Sequence, residues 1–210
     1  TLYIETQSGR LNKYNPVDES FKIVDPDKLN LFSFKMSTVQ AIYYDGKDIT
    51  WRGGLGKEVG LTMENRITGE KKVYLHNPND NSTISDNKVY SVLRDKNGSL
   101  WVGTFSGLDK LDERTGKFTH YKNVTGDLSS LSDNWVWPLF EDSKGNFWIG
   151  TVKGGLNKFD PIIGTFISYK NDPADPKSLD DNFIFSIYED RGGLIWIGTN
   201  TGGVNYFDPS

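Results

Sequence analysis

The chain has 210 residues, a net charge of −4, no cysteine, 22 glycines and 13% aromatic residues. Without cysteine there is no disulfide framework and no thiolate metal site, and with no basic stripe or arm nucleic-acid binding is not expected. No apolar run approaches the roughly 20 residues of a membrane span, no signal peptide is visible, and the Gly-rich, aromatic-rich mix without strongly helical runs points to an all-β protein.

The chain opens on Leu2-Tyr3-Ile4-Glu5-Thr6, which is part of a sentence written several times. Its full form is Glu141-Asp142-Ser143-Lys144-Gly145-Asn146-Phe147-Trp148-Ile149-Gly150-Thr151, with close copies at 94–104 and 189–199 and a worn one from Asp45 to Gly53. The aromatics Tyr3, Trp51, Trp101, Trp148 and Trp196 recur every 47 to 50 residues. A repeat of that length fixes the architecture before anything else does. Approximate repeats are 1–35, 36–85, 86–132, 133–180 and 181–210 of one partial domain. The chain starts inside a repeat, so it reads as a piece of a longer one.

Repeat zero supplies strands B, C and D at 2–6, 11–14 and 21–24. Repeat one has strand A at 39–43, a B segment at 50–53, a longer loop at 54–59, and then Gly60-Leu61. Repeat two is complete: A at 89–93, a turn at Asp95-Lys96-Asn97-Gly98, B at 100–104, C at 108–111, a second turn at 112–116 and D at 118–121. Asp bonds its own backbone and Gly accepts positive φ, which is what such turns need. Repeat three runs 136–140, 147–151, 156–159 and 166–169, and repeat four stops after strand C. About four and a half repeats of four short strands indicate a radial all-β array.

Strand B alternates Leu100, Val102 and Thr104 with Trp101 and Gly103. Neither face is polar, so each small sheet is covered on both sides, and the natural cover is the next copy. The expected fold is therefore a β-propeller of four-stranded antiparallel blades. A solenoid has shorter coils, and a sandwich does not repeat. The links from strand D to strand A have one length: Tyr74 to Val89, Tyr121 to Val136 and Tyr169 to Ile184 are each fifteen residues. A fixed length implies docked links, pinned by Ile84, Leu131 and Leu179. Asn87, Asn134 and Asn182 stand at their ends, either as backbone caps or as ligand contacts.

Copy three carries Glu141, Asp142, Gly145, Trp148 to Thr151, Gly154-Gly155-Leu156, Phe159-Asp160-Pro161 and Gly164-x-Phe166. These residues resemble the two-component regulator propeller repeat, and the likeness spans essentially the whole chain. Copy one departs, with Glu64 and Lys71 in place of aromatics, and copy two lacks one Gly after Thr104. The resemblance implies the periplasmic sensor region of a membrane-bound regulator, often a hybrid histidine kinase of gut Bacteroidetes responding to complex glycans. Whole members of that family pair two seven-bladed propellers with a β-sandwich, a membrane helix and kinase modules. No catalytic residue is implied.

In an up-and-down blade the D–A and B–C connections share one face and the A–B and C–D turns the other. The stereotyped Asp-x-x-Gly turns read as scaffold, whereas the D–A and B–C residues vary. The candidate ligand residues are Arg52, Lys57, Glu58, Asn87, Lys88, Phe105, Asn134, Trp135, Lys153, Asn182, Phe183 and Asn200. Trp135 and Phe183 could stack on sugar faces, Arg52 and Lys57 could meet an acidic sugar, and Trp137 is expected in the core. The expected function is periplasmic ligand sensing, with an oligosaccharide as ligand and a histidine kinase as output. A protein-interaction or dimerisation scaffold is the alternative, and a propeller lyase or glycosidase stands third. Catalysis is disfavoured because His76 and His120 fall at outer strands and the repeated Asp95, Asp142 and Asp190 are turn-formers. No cofactor, metal or direct membrane contact is expected for this segment.

Overall fold

The computed structural model describes residues 3–5, 11–15, 17, 20–24, 39–45, 48–55 and 59–209. The chain forms two compact units, Thr1–Val39 and Gln40–Ser210. In the first, β1 (Tyr3–Glu5), β2 (Leu11–Asn15) and β3 (Ser20–Val24) make a three-stranded antiparallel sheet.

The second unit carries four further sheets. Blade 1 is β4 (Val39–Tyr44), β5 (Ile49–Gly54), β6 (Leu61–Asn65) and β7 (Lys71–Tyr74). Blade 2 is β8 (Val89–Arg94), β9 (Leu100–Thr104), β10 (Gly107–Asp112) and β11 (Lys117–Tyr121). Blade 3 is β12 (Val136–Glu141), β13 (Phe147–Thr151), β14 (Leu156–Asp160) and β15 (Thr165–Tyr169). Blade 4 is β16 (Ile184–Glu189), β17 (Ile195–Thr199) and β18 (Val204–Phe207). Every pairing in blades 2 to 4 is antiparallel and follows chain order. The eighteen strands among the described residues are those the repeat predicts, and the fold is an all-β propeller array.

The core lies between blades. Trp51, Leu61 and Tyr74 of blade 1 pack with Leu100, Val102, Leu111 and Phe118 of blade 2. Trp101 and Leu108 then meet Phe147, Ile149, Phe159 and Phe166 of blade 3. Trp148 and Leu156 meet Ile195 and Ile197 of blade 4. The pins Ile84, Leu131 and Leu179 join these same clusters. This explains why both faces of strand B are apolar: all five residues of β9 and of β13 are buried.

The turn aspartate has a second task. Asp95 Oδ2 accepts the Trp101 indole N–H at 2.8 Å, Asp142 accepts that of Trp148 at 2.9 Å, and Asp190 that of Trp196 at 2.8 Å. The other oxygen holds turn amides such as Ser99, Asn146 and Leu194. One carboxylate thus closes the hairpin and satisfies a buried donor that would otherwise cost about 1–3 kcal/mol. Blade 1 shows the motif worn down, since the Trp51 indole N–H is buried without a partner among the described residues.

The glycine after each tryptophan is a close-approach site. A Cβ on Gly150 would lie 2.6 Å from Pro138 Cγ and 2.7 Å from Ile184 Cβ, and on Gly103 2.7 Å from Val136 Cγ1. Two strands come this close, the first of the glycine's own blade, at Pro138 and at Ser91 Oγ beside Gly103, and the first of the next blade, at Ile184 and Val136. Gly150→Ala is expected to destabilise by about 1–3 kcal/mol through overpacking. Urea denaturation measures this, and an unchanged midpoint would show that the blades are not in such close contact.

Candidate functional site

The links are built alike. The Asn134 side-chain oxygen accepts the Asn123 N–H at 2.8 Å, Asn182 accepts that of Asn171 at 2.8 Å, and Asn87 that of His76 at 2.7 Å. Asn123 and Asn171 in turn donate through Nδ2 to the Leu131 and Leu179 carbonyls, at 2.7 and 2.6 Å. His76 fills the same place in the preceding link, donating from Nδ1 to the Ile84 carbonyl at 2.8 Å. Each asparagine therefore closes its link against the end of the previous strand D. The link also shields an outer strand edge, because Ser82 and Ser129 carbonyls accept the Phe118 and Phe166 N–H groups, both at 2.8 Å. A covered edge cannot template pairing with another chain.

The neighbouring aspartate ties the link to the B–C loop. Asp133 Oδ2 accepts the Lys153 N–H at 3.1 Å, Asp86 the Ser106 hydroxyl at 2.9 Å, and Asp181 the Thr201 N–H at 2.9 Å. Backbone bonds from Phe105, Val152 and Asn200 to the carbonyls of Lys88, Trp135 and Phe183 complete the seam, at 3.0 to 3.1 Å. The variable residues thus stand on a backbone that does not vary.

Strand A begins with a register shift in blades 2, 3 and 4, between Val89 and Ser91, Val136 and Leu139, and Ile184 and Ser186. A bulge of this kind re-aims a side chain. Val89, Val136 and Ile184 go fully into the inter-blade core, while Tyr90, Trp137 and Phe185 do not. Since β8, β12 and β16 are neighbours, these aromatics meet. Trp137 lies 5.1 Å from Tyr90 and 5.2 Å from Phe185. Trp135 joins them, 5.7 Å from Tyr90 and 6.3 Å from Trp137, and Phe183 stacks on Phe185 at 4.5 Å. Trp137, expected to pack in the core near the central channel, is half-buried in this aromatic wall, because the bulge turns it away from the blade interface.

Between blades 2 and 3 the same surface opens into a cavity of about 420 Å³, lined by Phe105 and Ser106 of one B–C loop, Lys122 after β11, Asp133, Asn134 and Trp135 of the link, and Lys153 of the next B–C loop. Phe105 and Trp135 are 5.0 Å apart and form its apolar wall. Lys88 caps that wall, with Nζ 4.5 Å from the Phe105 ring centre. The Trp135 indole N–H is buried without a hydrogen bond of good geometry. It points close enough to Tyr90 to work against the burial that raises the Tyr90 phenol's pKa.

Four of the twelve candidate residues, Phe105, Asn134, Trp135 and Lys153, therefore share one cavity. Lys88 borders it through Phe105. Asn87 and Asn182 close other links, Phe183 belongs to the aromatic wall, and Asn200 is exposed in the B–C loop of blade 4. Arg52 is elsewhere: on β5 it pairs with Glu64, which Lys71 also meets at 3.2 Å. Burial lowers the Arg52 pKa, against the pull of Glu64. The two departures of copy one, Glu64 and Lys71, thus replace aromatic packing by a charge cluster across β5, β6 and β7. Lys57 and Glu58 lie outside the described residues. The sequence reading missed Ser106, Lys122 and Asp133. Lys122 was the recoverable one, because strand D ends on the face where the next link begins.

Neither histidine lines the cavity. His120 donates to Asp109 Oδ1 at 2.6 Å and to the Asn81 carbonyl at 2.8 Å. Among the described residues no group of three or more His, Cys, Asp or Glu could hold a metal ion, and no helix is long and apolar enough to cross a membrane.

The two component regulator propeller model matches residues 83–106, 130–153 and 178–201. Each match runs from a link pin or its neighbour to a B–C loop. No curated protein matches the chain. Among solved structures, the chain is similar to the extracellular domain of the hybrid two component system BT4673 from B. thetaiotaomicron, with a TM-score of 0.66, 23% identity, and coverage of 99% of this chain and 29% of that one. PorZ, a surface component of the type-IX secretion system of Porphyromonas gingivalis, gives 0.62 and 18% over 99% and 32% of the two chains. Virginiamycin B lyase from Staphylococcus aureus gives 0.58 and 13% over 99% and 69%. The chain spans about a third or less of the first two. At these identities the likenesses speak for the fold. The three matched segments, each set in a blade of one build, are two-component regulator propeller repeats.

Proposed function

We propose that this chain is part of the extracytoplasmic sensing region of a two-component regulatory protein, and that it binds an oligosaccharide in the cavity between blades 2 and 3. The observation that carries the reading is the composition of that cavity: a Phe105–Trp135 wall beside Asn134, Lys122 and Lys153, on a frame held by repeated Asp and Asn bonds. Aromatic planes suit the apolar faces of sugars, and convergent polar groups fix the hydroxyls. Ligand would favour one arrangement of the propeller and its neighbours over another, and that difference in affinity would bias a histidine kinase output.

Thermal shift across a saccharide panel tests this. A binding sugar should raise the unfolding midpoint of the native chain, and Trp135→Ala should abolish the rise while leaving the ligand-free midpoint within a few degrees. Absence of any shift, or one that survives Trp135→Ala, would remove the cavity from consideration.

A second reading has its own observation. Tyr188, Trp196 and Tyr206 form a cross-strand row on blade 4 and are 62%, 38% and 64% exposed. An apolar row of that kind seeks cover by further protein. Light scattering over a concentration series separates this scaffold role, which gives oligomers without sugar, from sensing.

A further inference from the structure

Resting on the saccharide reading of the cavity, we infer that its ligand is an anionic oligosaccharide, one bearing a carboxylate or sulfate. The ground is the inventory of groups that remain available. Lys122 and Lys153 reach the cavity from two different blades, and Lys88 stands over the Phe105 ring. Neither Lys122 nor Lys153 makes a salt bridge among the described residues. Asn134 has its side-chain oxygen committed to the Asn123 N–H, so its remaining offer is the amide NH₂ donor. The Ser106 hydroxyl gives its proton to Asp86. Against these stand two acceptors, the Ser106 hydroxyl oxygen, whose proton is already given, and one lining carboxylate, Asp133, which already accepts the Lys153 N–H.

The cavity is thus weighted toward donors. A neutral sugar offers hydroxyls that both donate and accept, so it needs acceptors from the protein. Carboxylates and sulfates only accept. Hydrogen bonds to an ionised partner are also roughly twice as strong as neutral ones. Two lysines facing one engaged aspartate, in a chain whose net charge is −4, make a local positive field that is not a by-product of overall composition. The acidic-sugar contact expected at Arg52 moves here, because Arg52 is paired with Glu64.

The repeat sharpens the assignment to one groove. In the next groove Val152 and Phe183 occupy the places of Phe105 and Trp135, as the seam bonds define them. The wide indole and its phenyl neighbour occur together only between blades 2 and 3 among the described grooves.

Calorimetric titration of the native chain with tetragalacturonate, a sulfated galactotetraose and neutral galactotetraose separates the two anion chemistries from the backbone sugar. At least one acidic probe should bind about tenfold or more tightly than the neutral one, and the preference should shrink as salt is raised. The Lys122→Gln/Lys153→Gln double variant should lose that preference, and the Lys122→Arg/Lys153→Arg variant should keep most of it. Both lysines are exposed, so an unchanged unfolding midpoint serves as the folding control. If neutral and acidic probes bind alike and Trp135→Ala abolishes both, the anionic assignment is overturned and the saccharide site stands. If acidic binding survives the double Gln variant, the assignment is likewise overturned. If no probe binds, both the assignment and the saccharide reading fall.

Discussion

Trp101→Ala is expected to cost about 3–5 kcal/mol, whereas Trp196→Ala, the same letter of the same repeat, costs much less. Trp101 is 0% exposed and sits against Tyr121 of its own blade and Phe147 and Phe159 of the next, at 5.7, 5.4 and 5.2 Å. Its removal leaves a cavity that the flanking strands cannot close, and it strands Asp95 Oδ2 without its indole donor. Trp196 is 38% exposed and stacks chiefly on Tyr206, 5.2 Å away. A stable domain has only about 5–15 kcal/mol in reserve, so the first variant should show a large fall in urea midpoint and the second a small one. Equal losses would mean that the indole stabilises each hairpin by itself, not the contact between blades.

Asp109→Ala is expected to cost about 3–5 kcal/mol, because it leaves a charged partner unpaired. Asp109 is fully buried, and it accepts both the His120 ring at 2.6 Å and the Ser85 N–H at 2.8 Å. The two partners of the imidazole, a carboxylate and the Asn81 carbonyl, both accept, so both ring nitrogens must carry protons and the cation is the favoured form. The hydrogen bond to Asp109 accordingly raises the His120 pKa above its ordinary 6.5, with burial and the nearby Lys122 working the other way. A raised folded-state pKa gives stability that is fully present below the unfolded value and is lost as pH climbs through the folded one. The unfolding midpoint should therefore decline on going from mildly acidic to mildly alkaline buffer, and His120→Gln should flatten that part of the profile. A His120→Gln profile parallel to the native one would show that the dependence lies with other groups.

Both effects stabilise the frame and neither touches the cavity, which bears on what was legible beforehand. Strand positions could be read because Trp, Gly and Asp occur at fixed spacings whose chemistry is local: a turn needs Asp and Gly, and in blades 2 to 4 that same Asp also takes the indole N–H six residues on, a second task the structure added. The pins Ile84, Leu131 and Leu179 were readable for a similar reason, since a link of fixed length needs an apolar anchor. The asparagines were readable as residues of interest but not as to task. Whether Asn134 faces ligand or its own chain depends on Asn123, eleven residues away, and that distance closes only when the link folds back. Trp137 was readable as a packed aromatic, but its ring partners were not, because the bulge at the start of β12 is not written in any side-chain alternation.

The amino-acid sequence alone determined the kind of blade, its strand order and the frame that holds it, because those depend on residues near each other in the chain. Only the tertiary structure decided which variable residues share a cavity. Lys122 and Asp133, at opposite ends of one link, and Lys153, in the next B–C loop, are brought together there, and they meet because the inter-blade core sets how closely one sheet approaches the next. The same packing tied Arg52 to Glu64 across a strand pair. Local chemistry repeats and can be read along the chain, whereas a binding surface depends on distances between repeats that the packed core sets.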